Sequence, residues 1–173
     1  MKKKILVYIP NGLNSPEFEI LLSVAQKKID NKENVIILIC KGGKNFFCSK
    51  NIYSKKYICN SCNQKKNLGL SKLKGNFKLS YLPDIKNIKF KSSLNFNKVF
   101  NYKYKNLDNG ISAYSSYVDL TRDRDLDGFI MNYSLTGLIN TSNFLTDYFR
   151  KYLKNNNIKE VICFNGRNNN YRP

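Results

Sequence analysis

A chain of 173 residues, 42% apolar and 13% aromatic, is long enough for one compact domain with its own core and too apolar to stay disordered. Thirty basic residues against twelve acidic ones give a formal charge of +18, and there is no histidine, so any general base must be a carboxylate or come from elsewhere. No apolar run approaches the roughly 18 residues of a membrane span.

The charge is regional. From Cys40 to Leu107 there are sixteen lysines and one acid, Asp84. Such a field suits nucleic acid, an anionic membrane surface or a phosphate-bearing substrate, or else simply covers solvated loops. All five arginines, Arg122, Arg124, Arg150, Arg167 and Arg172, lie outside that stretch. Reading of base sequence by arginine forks is therefore not expected. Met1-Lys2-Lys3-Lys4 followed by Ile5 to Ile9 imitates a signal peptide, but Pro10-Asn11-Gly12 stops the run and no small-residue cleavage site follows. The expectation is a soluble cytoplasmic protein, held by its charge at the periphery of the inner membrane if it meets a membrane at all.

In chain order, Lys4 to Ile9 reads as a buried strand closed by the turn Pro10-Asn11-Gly12. Ser15 is placed to cap a helix with Pro16 and Glu17 in its first turn and Phe18, Leu21, Leu22, Ala25 and Ile29 on one face. Asn34 to Ile39 is a second buried strand, which completes a parallel βαβ unit. Residues 40–109 lack clear periodicity and are expected to form an irregular inserted lobe, rich in cysteine and lysine, with short strands or helices. Two helices follow, one with Ile111, Tyr114 and Val118 on its apolar face, the other with Leu135, Leu138, Ile139, Ser142, Leu145, Phe149, Tyr152 and Leu153. Glu160 to Phe164 reads as a last buried strand containing Cys163, a small buried hydrophobe. The fold class is α/β: a Rossmann-like parallel sheet with helices on both faces, in one domain covering residues 1–173.

Cys40, Cys48, Cys59 and Cys62 follow the spacing C-x7-C-x10-C-x2-C in a stretch, Cys40 to Pro83, with ten lysines and no acid. Four thiolates suit a closed tetrahedral structural zinc site, and nearby lysines such as Lys55, Lys65 and Lys66 would balance its negative charge. An iron-sulfur cluster uses the same ligands. Buried unmetallated thiols and disulfides remain alternatives, disulfides being the weaker in a reducing compartment.

Group transfer onto an acceptor hydroxyl needs a base near that hydroxyl and groups that stabilise a leaving anion. Glu17 and Glu19 follow the first strand, at the edge where open α/β sheets bind ligands, and serve either as base or as complements to the helix dipole. Asn11 and Gly12, and Asn165, Gly166 and Arg167, are the substrate-binding candidates: glycine permits close backbone approach and Arg167 can grip a carboxylate or phosphate. The run Arg122 to Asp127 alternates in sign and reads as a self-compensated surface rather than a magnesium site.

Ser15, Phe18 and Glu19, Cys40-Lys41-Gly42, Cys48 and Asn51, Cys59 and Cys62, Asp127-Gly128 and Phe164-Asn165-Gly166-Arg167 together resemble the N-terminal domain of bacterial surface- or capsular-polysaccharide glycosyltransferases. The resemblance spans nearly the whole chain and is weakest from Gly75 to Asn106. Asn51 lacks the proline expected after it. The resemblance implies a GT-B architecture in which this domain faces the acceptor, an anionic lipid-linked or glycan molecule, while a second domain binds the nucleotide-sugar. That donor half is expected from a separate polypeptide. A zinc-supported nucleic-acid-binding module, with Phe46, Phe47, Tyr53, Tyr57 and Tyr81 among its stacking surfaces, and a non-catalytic truncated remnant are the alternative readings.

Overall fold

The computed structural model describes residues 4–43, 46–85, 96–122 and 129–164. Its elements are β1 (Lys4–Ile9), α1 (Glu17–Asp30), β2 (Asn34–Ile39), α2 (Lys56–Leu70), β3 (Lys78–Tyr81), α3 (Phe96–Phe100), α4 (Asn109–Thr121), α5 (Phe129–Asn156) and β4 (Ile158–Ile162). The four strands form one sheet in the order β3-β2-β1-β4. Every pairing is parallel. The fold is α/β with a Rossmann-like sheet, and β1 and β2 pair without a register break from Lys4 opposite Asn34 to Ile9 opposite Ile39.

A parallel sheet must bury both faces, and β1 and β2 are apolar at consecutive positions for that reason. Ile5, Val7, Ile9, Val35, Ile37 and Ile39 turn to the face that packs against Phe18, Leu21, Ala25 and Ile29 of α1 and Leu70 of α2. Leu6, Tyr8, Ile36 and Leu38, on the opposite face, are buried as well. At the edge, β4 is only half-buried. Read from the sequence as fully buried, it has one neighbour among the described residues, β1. Cys163, expected inside, is exposed just beyond it.

Part of the stretch expected to be irregular is regular. Lys56–Leu70 is a crossover helix and Lys78–Tyr81 is the third strand. The helix escaped detection because its inward face is not apolar: Lys66 and Leu70 are its buried residues. Ser15, expected as a cap of α1, makes no such bond. Its hydroxyl donates to Glu19 Oε1 at 2.8 Å instead.

The chain divides into two units, residues 1–42, 56–83 and 150–164 forming the sheet unit. The second contains residues 43–55 and 84–149. Its core joins Phe47, Ile52 and Val99 to Ala113 and Tyr117 of α4 and Leu135, Leu138 and Ile139 of α5. The inward face of α4 is therefore turned from the expected one: Gly110, Ser112, Ala113, Ser116 and Tyr117 are buried, whereas Ile111, Tyr114 and Val118 are half-buried. Small residues point inward because the helix lies close to its neighbours. Polar residues bridge α4 and α5, with Asn109 Nδ2 donating to Asn143 Oδ1 at 2.9 Å and to Thr146 Oγ1 at 3.1 Å. Among the described residues no helix is long and apolar enough to cross a membrane.

Candidate functional site at the carboxyl edge of the sheet

In a parallel sheet, ligands meet the chain at the carboxyl ends of the strands, above all where the strand order reverses. The order β3-β2-β1-β4 places that reversal at β1. Here Pro10 ends the strand and Asn11 turns the chain. Asn11 Oδ1 accepts the Leu13 N–H at 2.8 Å, which closes a short side-chain turn. Gly12 lies against α2. A Cβ on it would stand 2.7 Å from Lys66 Cγ and 2.8 Å from the Cys62 carbonyl oxygen, so only glycine lets the loop close there.

Three of the four cysteines gather at this edge. Cys40 ends β2, and its sulfur accepts the Gly42 N–H at 3.1 Å. The Cys62 sulfur accepts the Gly12 N–H, also at 3.1 Å. Cys59 lies over Gly42, where a Cβ would be 3.1 Å from its sulfur. Lys66 reaches the same place from α2 and donates to the Cys40 carbonyl. Burial pushes the Cys40 thiol up, and the Lys66 ammonium works against that. Cys48 lies in the second unit, in a turn where the Asn51 N–H donates to its carbonyl at 2.9 Å. Among the described residues no three Cys, Asp or Glu side chains stand together as metal ligands. The cation beside Cys40 is an ammonium group.

Glu19 stands in the first turn of α1, exposed. Lys65 Nζ approaches Glu19 Oε1 at 3.0 Å and donates to Ser15 Oγ at 2.7 Å, while Ser15 donates to Glu19. The bonds from Lys65 and Ser15 hold the Glu19 carboxyl below the usual value of 4.5. It is thus ionised throughout the neutral range and a weak base. Lys65→Ala is expected to move the Glu19 carboxyl back up toward 4.5, read by NMR titration of its side-chain carbon. The depressed value means that Glu19 favours the folded state above its unfolded pKa. That contribution disappears as pH falls through the folded one, and Lys65→Ala should reduce this acid-side pH dependence. Glu17 is half-exposed in the same turn.

Lys41 and Tyr81 complete the edge, with the ammonium 3.9 Å from the ring centroid. Asn63 Nδ2 donates to the Lys41 carbonyl at 2.7 Å and ties α2 to the end of β2. Asn11, Gly12, Cys40, Cys59 and Cys62 are thus brought together, whereas Asn165, Gly166, Arg167 and Asp127-Gly128 lie outside the described residues. Lys66, expected only to balance the charge of the thiolates, proves to be a buried part of the site. Its signal was the spacing of Cys59, Cys62, Lys66 and Leu70, which follows one face of a helix. Phe46 and Phe47, considered as stacking surfaces, are buried at 4% and 5% exposure. Compared with known proteins, the chain matches no family model, no curated protein and no solved structure.

Proposed function

We propose that the protein supplies the acceptor-side N-terminal domain of a GT-B-type glycosyltransferase in bacterial surface-polysaccharide assembly, working with a nucleotide-sugar-binding domain. One observation carries the reading: Glu19 and Cys40, which are among the residues that resemble that family, converge with Asn11 and Gly12 on the carboxyl edge of a parallel sheet at its switch point. The same edge is basic, which suits an anionic acceptor such as a lipid-linked diphosphate.

In this reading Asn11 and the Gly12 loop orient the acceptor, and Glu19, ionised beside Lys65, accepts a hydrogen bond from the attacking hydroxyl. Lysines along the edge hold the acceptor's negative charge. The cysteines at the ends of β2 and α2 shape the floor of the site, and Lys66 supplies the positive charge beside them.

The test is sugar transfer from a panel of nucleotide-sugars onto lipid-linked diphosphate acceptors, by the full chain together with a separately expressed nucleotide-sugar-binding domain. Transfer that requires both polypeptides and falls in Glu19→Gln supports the reading. A folded pair that transfers no sugar from any donor removes it.

A further inference from the structure

Two buried polar groups at this edge lack the partners that burial demands. Asn11 is 2% exposed, and its Nδ2 meets no acceptor among the described residues. Lys66 is 1% exposed and carries three donors. Among the described residues these have one acceptor, the Cys40 carbonyl, and no carboxylate pairs with the ammonium. A buried amide donor without an acceptor and a buried ammonium without a counter-charge are both disfavoured. Folding alone gives no reason to keep either.

The two are neighbours. Asn11 Oδ1 lies 4.0 Å from the Cys62 sulfur, and the Gly12 backbone packs on the Lys66 stem. Cys62, beside them, is half-exposed. Both unsatisfied groups are donors, and one carries positive charge. The complementary ligand is therefore negative and rich in acceptors. No acid occurs from Cys40 to Pro83 to supply that charge internally. Across the edge, Glu19 is neutralised by Lys65. A phosphate presents several acceptor oxygens at tetrahedral angles and can meet an amide, an ammonium and the nearby lysines at once, which one carboxylate cannot.

We propose that Asn11 Nδ2 and Lys66 Nζ form the floor of a phosphate subsite at the carboxyl end of β1. In naming its occupant as the phosphate or diphosphate of the acceptor, the inference rests on the function proposed above; the subsite itself does not. Lys66 then spends stability in the free protein that is recovered when the anion binds.

Titration of the isotopically labelled full chain with inorganic pyrophosphate, followed by heteronuclear NMR, is expected to shift the Asn11 side-chain amide and the Gly12 backbone amide saturably. Asn11→Leu, close in volume and without donors, should keep the circular dichroism spectrum and bind pyrophosphate about tenfold more weakly, and Asn11→Asp, which keeps the oxygen that accepts the Leu13 N–H but has no donors, should bind at least as weakly. Lys66→Met should weaken binding by a similar factor and raise the melting temperature of the ligand-free protein. A lysine with a merely structural role would lower that temperature on replacement and leave binding intact, which would overturn the assignment. Should Lys66→Met fail to fold, Asn11→Leu still decides. An absence of saturable shifts, unchanged affinity in Asn11→Leu, or equal competition by acetate also overturns the proposal.

Co-sedimentation with phosphatidylcholine vesicles, with and without phosphatidic acid, separates the two sources of phosphate. Binding that needs phosphatidic acid and is lost in Asn11→Leu assigns a lipid phosphate, and pyrophosphate binding without vesicle binding assigns a soluble one. Pyrophosphate binding in a protein that fails the transfer assay would retain the subsite and discard the glycosyltransferase.

Discussion

Gly110→Ala is expected to destabilise the second unit by about 2 kcal/mol net, although alanine is normally the better helix former by about 1 kcal/mol. The position lies in the first turn of α4, where an added Cβ would stand 1.8 Å from the Val99 carbonyl oxygen and 2.9 Å from Tyr102 Cβ. Neither neighbour can swing away cheaply. The Val99 carbonyl accepts the Tyr102 N–H at 3.1 Å, and the Gly110 N–H donates to the Tyr102 carbonyl at 3.1 Å. The helix must shift instead, and the shift pulls Ala113 and Tyr117 off Leu135, Leu138 and Ile139. Overpacking of this kind costs about 1–3 kcal/mol or more, which outweighs the propensity gain. Urea denaturation followed by circular dichroism reads the sign directly. A midpoint that rises would mean that α4 is free to move away from the segment before it.

The second large effect is a contrast between two positions in the sheet. Ile37→Ala is expected to cost about 3–4 kcal/mol, and Val161→Ala less than about 1 kcal/mol. Ile37 is fully buried in β2, paired with Val7 of β1 on one side and Leu79 of β3 on the other, so its removal leaves a cavity that neighbouring strands hold open. Val161 is 43% exposed on β4, whose single neighbour is β1. Losing two methyl groups there removes little buried surface. Denaturant midpoints of the two variants, compared with the parent, check the order. Equal losses would show that β4 is not an edge.

The readable parts of the fold were those in which side-chain chemistry and backbone period agree. β1 and β2 were read with their observed bounds because each is an uninterrupted apolar run between turn residues. The buried face of α1 was read from Phe18, Leu21, Ala25 and Ile29. α2 was not, since a face made of cysteines, a lysine and one leucine carries no apolar period. β3 was missed for a related reason: Lys78-Leu79-Ser80-Tyr81 is short and half-exposed, an edge strand whose pairing with β2 is supplied by the backbone. On α4 the larger apolar residues Tyr114 and Val118 pack against the rim of the core, while close helix approach selects the small residues Ser112, Ala113 and Ser116 for the fully buried positions.

The candidate site was half legible. Cysteines, the turn at Asn11-Gly12 and the acids that open α1 could be named from residue type and from their place after a strand. Their grouping could not, because Gly12 and Cys62 are fifty residues apart and meet only when α2 crosses from β2 to β3.

Residue order by itself determined the class: consecutive apolar runs can only be strands buried on both faces, and an amphipathic stretch between them can only be the crossover that makes the strands parallel. Tertiary structure alone decided the strand order, the meeting of Gly12 with Cys62, and the burial of Lys66 beside Asn11. Those outcomes depend on which distant segments share an edge, and local pattern carries no information about distance through space.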